Sequence, residues 1–259
     1  MFIAIFFLTG CSRPDPNTAQ GYVEGEYVYI AAPLGGTLTN LAVTRGSLVN
    51  AGQLLFDLER GSESSALNAA AKNLDQAKAT LALSESTLAR RQELRAGNAE
   101  VISAEELDQA RSQRDADSAQ VESLKAALEK AKWSFDQKQQ FAPANAFVHD
   151  TLYRPGEWVA AGAPVVVLLP PTNLKARFFI PQETLPQLKS GQTVSVSFDG
   201  APHAYSATIN YISSQAEFTP PVLYNRENRA KLIFMVEAAF SPSDAAQLRP
   251  GQPVDVRLQ

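Results

Sequence analysis

Two stretches of this sequence repeat one another without a gap: Pro33 matches Pro143, Gly46 matches Gly156, Gly52 matches Gly162 and Leu58 matches Leu168, every pair 110 positions apart. Self-similarity at a fixed offset marks one supersecondary unit used twice. In each copy two glycines six positions apart bracket a short apolar element, Leu48-Val49 in the first and Trp158-Val159 in the second. Gly46, Gly52, Gly156 and Gly162 are therefore read as structural turn glycines, placed where the chain needs positive φ. Alternating β-rich sequence flanks them. Each copy amounts to half of a small β-sandwich, so a chain of this kind has to bring distant segments together to complete one core.

The segment between the copies, about 62–140, has a different composition. It is rich in Ala, Leu, Glu, Gln and Lys, has no proline, a single glycine at position 97, and no aromatic residue before Trp133. That is helical sequence. Leu67, Leu74, Leu81 and Leu88 recur every seven residues, with Ala70, Ala77 and Ser84 three beyond the first three, as in the seam of a coiled coil. A second series, Leu107, Arg114, Val121, Leu128 and Phe135, follows the same spacing. Gly97 stands where a helix C-cap belongs, and Ser103 with Glu106 makes a capping box for the next helix. Folding the chain about that turn sets Leu107 near Leu94, Val121 near Leu81, Leu128 near Leu74 and Phe135 near Leu67. Two helices of roughly 35 residues, at 1.5 Å per residue, make an antiparallel hairpin on the order of 50 Å long. Arg114 and Asp117 interrupt the seam, where they set register or are simply solvated.

After position 171 the pattern changes to short strand-like runs, Lys175–Ile180, Thr193–Phe198, Ala207–Ile212, Leu232–Glu237 and Val254–Leu258, separated by turn residues. Gly191 and Gly251 each sit in a Leu-x-x-Gly-Gln context before a strand. Such runs make a small closed or nearly closed β-barrel. The expected fold is thus mixed α and β and elongated. Its parts are an export signal at 1–11, a linker at 12–21, a split sandwich at 22–61 and 141–171, a helical hairpin at 62–140 and a barrel at 172–259.

Charge and composition exclude several functions. The 23 basic and 27 acidic residues leave a net charge of −4, which offers no general attraction to phosphates. One cysteine and two histidines, His149 and His203, make no recognisable metal-ligand set. No GxSxG, phosphate-binding glycine loop or HExxH is found, so neither a catalytic residue, a metal nor a cofactor is expected. At the N-terminus, Phe2 to Leu8 is an apolar stretch far short of the roughly 20 residues a spanning helix needs, and it runs into Leu8-Thr9-Gly10-Cys11 and then polar sequence.

Several of these features resemble known families. Leu8-Thr9-Gly10-Cys11 resembles the bacterial lipobox, which implies a covalent lipid on Cys11. Gly46, Val49, Gly52 and Leu54 to Glu59 look like half of a biotinyl or lipoyl carrier domain, but Arg60-Gly61-Ser62-Glu63 replaces the hairpin that bears the carrier's modified lysine. The order half-sandwich, hairpin, half-sandwich, barrel resembles the periplasmic adaptors, or HlyD-like membrane fusion proteins, of tripartite efflux and type I secretion systems. Ala216 to Pro221 with Asn225 to Phe234 looks like the barrel of adaptors that serve ABC-type exporters. The resemblance implies a protein that is not an enzyme. It would be lipid-anchored in the periplasm of a Gram-negative bacterium, with the inner membrane favoured. It would join an inner-membrane transporter to an outer-membrane TolC-like channel, in a homo-oligomeric ring of six. Arg90, Leu94 and Ser103 become the residues of the hairpin tip that meet the channel. On residues alone a lipid-anchored envelope scaffold without a transport role stays open.

Overall fold

The computed structural model describes residues 18–98, 100–201, 203–218 and 232–258. Cys11 and residues 219–231, the middle of the ABC-type barrel motif, lie outside them. The chain divides into two compact units, Met1–Val28 with Ala144–Phe147 and Leu168–Gln259, and Tyr29–Pro143 with Val148–Val167.

The first strand, β1 (Thr18–Gly25), belongs to the barrel. The sandwich uses β2 (Val28–Ala31), β3 (Gly36–Leu41), β4 (Leu48–Val49) and β5 (Leu54–Leu58) from the first copy. From the second copy come β6 (Gln139–Phe141), β7 (Ala146–Thr151), β8 (Trp158–Val159) and β9 (Pro164–Leu169). One sheet runs β2-β9-β7-β4 and the other β6-β5-β3-β8. At an offset of 110 the first order maps onto the second strand for strand, so the sandwich has a pseudo-two-fold and each sheet takes two strands from each copy. Neither copy has a complete sheet of its own. The turn glycines hold this exchange. Gly46, at φ 91°, donates its N–H to the Val148 carbonyl at 2.9 Å, and its equivalent Gly156, at φ 96°, donates to Leu38, the residue equivalent to Val148, at 2.8 Å. Gly52 donates to Ala142 and Gly162 to Ala32 in the same relation. Leu38, Leu55, Phe56, Leu58, Val148, Val159 and Val165 are fully buried within it, each side chain contributing about 1.5–3 kcal/mol relative to exposure.

The hairpin consists of α1 (Gly61–Gly97) and α2 (Ala104–Asp136). Leu74, Ala77 and Val121 form its central cluster with Leu81, Leu124 and Leu128, the register expected from the heptads. Nearer the tip the pairing differs: Leu107 and Ala110 pack on Leu88, while Leu94 stays 48% exposed. Arg91 crosses between the helices at this level, its Nη1 donating to the Glu106 carbonyl at 2.7 Å, and so occupies the place expected for an apolar contact. Gly97 is the last helical residue and not a left-handed cap. The chain leaves α1 through Asn98 in an extended conformation, φ −153°, whose N–H donates to the Leu94 carbonyl at 3.0 Å. One terminal carbonyl is thereby satisfied without a left-handed residue. Arg114 and Asp117 are half-buried on the seam, bonded locally to Asp115 and Gln113.

The barrel is closed, in the order β1-β10-β13-β12-β11-β14, with β10 (Leu174–Pro181), β11 (Thr193–Ser197), β12 (Tyr205–Phe218), β13 (Leu232–Phe240) and β14 (Pro253–Leu258). A short helix, α3 (Pro242–Ala245), precedes the last strand. Leu174, Ala176, Phe178 and Ile180 point inward along β10 and alternate with Lys175, Arg177 and Phe179 outside. The Leu-x-x-Gly-Gln turns behave alike. Gly191, at φ 88°, donates to Ile209, and Gly251, at φ 82°, donates to Val23.

The N-terminal boundary departs from the expected one. Residues 18–25, expected as linker and first sandwich strand, pair with β10 on one side and β14 on the other, Tyr22 opposite Arg177 and Ala19 opposite Val256. The five strands read after position 171 leave two open edges, and β1 satisfies both. Gly21 makes this fit possible, since a Cβ there would lie 2.7 Å from the Phe178 Cβ and closer still to the Arg177 carbonyl oxygen.

Candidate functional site: the hairpin tip and its supports

The tip is a short reversal between two well-ended helices. Asn98 Oδ1 accepts the Glu100 N–H at 3.0 Å and the Asn98 carbonyl accepts the Val101 N–H at 3.2 Å, so the turn carries its own hydrogen bonds. Ser103 then starts α2 with a complete capping box. Its Oγ accepts from the Glu106 N–H at 3.1 Å, and Glu106 Oε2 accepts from the Ser103 N–H at 2.9 Å. These bonds to Ser103, with Arg91 nearby, hold the Glu106 carboxyl below its ordinary value.

The three residues assigned to the tip therefore stand differently. Arg90 and Leu94 are exposed and free to meet a partner, whereas the Ser103 hydroxyl is committed to Glu106, from which it accepts and to which it also donates. Val101, 53% exposed, adds a second apolar side chain to Leu94 at this end. Arg91 and Val101 were not singled out from sequence. No local pattern marks Arg91, since its partner Glu106 lies fifteen residues away. The tip thus presents two apolar side chains, Leu94 and Val101, together with the exposed Arg90.

At the other end a buried lysine fixes the hairpin. Lys138, directly after α2, is 4% exposed, and its Nζ donates to the Gly35 carbonyl at 2.6 Å and pairs with Glu63 of the first turn of α1 at 3.0 Å. Burial pushes the Glu63 carboxyl up, but the Lys138 ammonium and the Ser62 hydroxyl outweigh it and hold the group below its ordinary value. Beside this clamp the Arg60 guanidinium lies over the Phe135 ring, 4.7 Å from its centre, and Gln139 Nε2 donates to Asp57 Oδ1 at 2.6 Å. Both helix roots are thus bonded to the strands that carry them.

The barrel has a second charged cluster on its outer wall. Glu237 on β13 bonds Lys175 and, at 2.7 Å, Arg177, both on β10, while Glu24 and Glu26 complete the set from the β1 side. Across four strands the register places Tyr22, Arg177, Glu237 and Tyr211 side by side. Burial alone pulls Lys175 down, but Glu237 and Glu26 outweigh it and raise the ammonium. Burial likewise raises Glu237, and Lys175 and Arg177 reverse that and keep it ionised. Lys175, Arg177 and Glu237 are each shifted toward the charged form, as befits a structural staple.

Among the described residues no group of His, Cys, Asp and Glu could hold a metal ion, and no helix is long and apolar enough to cross a membrane.

Residues 66–138 match the family "RND MFP, alpha-helical hairpin domain". The chain is 28% identical over 225 residues to a protein named UPF0194 membrane protein in asrC 5'region, from Acidithiobacillus ferridurans, covering 86% of this chain and 60% of that protein. It is 28% identical over 303 residues to the UPF0194 membrane protein YbhG of Salmonella gallinarum, covering 95% and 90% of the two chains. Among solved structures, the membrane fusion protein Spr0693 from Streptococcus pneumoniae R6 shares the fold at a TM-score of 0.66 and 19% identity, over 93% of this chain and 98% of that one. In its hairpin and in its fold the chain is built as the membrane fusion proteins, the periplasmic adaptors, are built.

Proposed function

We propose that this chain, with the hairpin and fold of the membrane fusion proteins, works as a periplasmic adaptor subunit. In this reading it links an inner-membrane transporter of the ABC type to an outer-membrane TolC-like channel. The carrying observation is the hairpin itself. It is rooted between exchanged strands by the buried Lys138 and ends in a hydrogen-bonded turn that leaves Arg90, Leu94 and Val101 outward. A rigid spacer with an apolar tip transmits position, and its work is mechanical, with no catalytic residue. Several copies, six in the preferred arrangement, form a ring whose hairpins make a conduit for cargo. A lipid on Cys11 holds each copy at the inner membrane, each buried CH2 contributing roughly 0.8 kcal/mol.

The test is crosslinking in cells from single cysteines placed at Leu94, Asn98 and Ser103, each with Cys11 retained, followed by mass spectrometry of the captured protein. Capture of an outer-membrane channel from the tip, and not from exposed barrel positions such as Thr208, supports the adaptor. Export and membrane attachment with no channel captured at any tip position would replace it with the envelope scaffold.

A further inference from the structure

The tip divides its side chains between those that build the reversal and those that build nothing. Glu106, in the first turn of α2, is the hub of the first group. Its N–H donates to Ser103 Oγ at 3.1 Å, its carboxylate accepts from the Ser103 N–H and hydroxyl, each at 2.9 Å, and its carbonyl accepts from Arg91 at 2.7 Å. The Ser103 hydroxyl thus both donates and accepts within its own helix turn. Arg91, three residues past Leu88, ties that turn to α1 next to the contact between Leu88 and Leu107. Asn98 holds the reversal itself: its N–H donates to the Leu94 carbonyl and its carbonyl accepts the Val101 N–H. These bonds use only the backbone of Leu94 and Val101 and leave the two side chains 48% and 53% exposed. A leucine at 94 is ordinary for α1. Val101 is not ordinary for its place, because a solvated turn favours Gly, Pro, Asn, Asp and Ser, whose backbone or side chains serve it. A β-branched apolar side chain in water there does nothing for the fold.

We propose that Val101 is a contact residue for the channel partner, in place of Ser103, and that Ser103 and Arg91 are positioning residues that act through Glu106. The inference rests on the adaptor reading and names the chemistry of its docking site. The partner presents an apolar surface to Leu94 and Val101 and needs no hydrogen-bonding group opposite the Ser103 hydroxyl. One residue of the set implied by the family resemblance is thereby exchanged: Arg90 and Leu94 stay, Val101 enters, and Ser103 moves from contact to support.

The experiment uses the full chain with Cys11 retained and a photoreactive group on Glu100→Cys. It reads the yield of captured channel in cells and, in the purified chain, amide exchange in the first turn of α2. Glu100 is exposed and gives the turn its backbone N–H, which the substitution keeps. Val101→Thr preserves the shape and the backbone bond and replaces one methyl with a hydroxyl. Capture falls roughly tenfold, while exchange in α2 stays at the parent's rate, a separation that a merely structural residue does not give. Ser103→Ala lowers capture and speeds exchange together, and Arg91→Leu does the same by removing the tie to Glu106. Ser103→Asn restores both, because the asparagine oxygen accepts the Glu106 N–H as an N-cap and its NH2 donates to the Glu106 carboxylate. Unchanged capture with Val101→Thr overturns the proposal. Ser103→Asn with a protected first turn and no recovery of capture also overturns it, since the hydroxyl is then the contact. Either result, with the parent still capturing the channel, leaves the adaptor standing; a parent that captures no channel removes the adaptor and this contact together.

Discussion

Replacing Lys138 with methionine removes the ammonium from the root of the hairpin and keeps the length of the stem. The Lys138 side chain is 5% accessible and the Glu63 side chain 18%, so the pair is shielded without being sealed. Loss of the bond to the Gly35 carbonyl leaves a buried acceptor unmet, at about 1.5–3 kcal/mol for a bond to a charged group. Stranding the Glu63 carboxylate adds about 1 kcal/mol, at the low end for a broken pair because water still reaches it. The expected loss is therefore about 3 kcal/mol, read from urea unfolding followed by helix signal, with faster amide exchange in the first turn of α1. Glu63→Gln in the same background returns part of it, since no charge is then stranded, so the double variant is less damaged than the two single losses combined. The pH dependence follows from the sign of the shift. Glu63 sits below its ordinary 4.5 when folded, so its contribution is present above that value and fades as pH falls through the folded value. Lys138→Met should flatten this acid limb. A cost under about 1 kcal/mol, or full additivity with Glu63→Gln, would refute the clamp.

Three further outcomes are expected. Ser103→Ala costs about 1 kcal/mol through loss of the N-cap and speeds amide exchange only in the first turn of α2, which leaves the rest of the hairpin as a built-in control. Gly21→Val opens the barrel, because the new Cβ meets the Arg177 carbonyl and the Phe178 Cβ; circular dichroism should show lost strand signal while the helical signal of the hairpin remains. The cluster around Glu237 makes the barrel acid-sensitive. Glu237 is depressed below 4.5, so its stabilisation is full above that value and is lost as pH falls, whereas Lys175 is raised above 10.5, so its share is full below that value and is lost only in stronger base. Glu237→Gln removes the acid limb of barrel unfolding, and an unchanged limb would show that the cluster is not its source.

What the sequence determined by itself is what depends on neighbours along the chain. The heptads of α1 and α2, the Ser103–Glu106 box and the turn glycines of the two copies are local devices, each set by spacings of a few residues. The copies could be matched at an offset of 110 for the same reason, since each keeps its own turn chemistry. Tertiary structure decided the rest. Which strands pair with which is a long-range choice, so the exchange of strands between copies became visible only when the sheets formed. Strand β1, with two glycines and only Ala19 and Val23 buried, has too weak an alternation to announce itself and gains its place from the two edges it closes. The Lys138–Glu63 pair and the cluster of Glu24, Glu26, Lys175, Arg177 and Glu237 join residues far apart in sequence. At the tip, spacing placed Leu94 on the seam, but the crossing of Arg91 to the Glu106 carbonyl left it outward, because a seam is settled by what the opposing helix offers at that height.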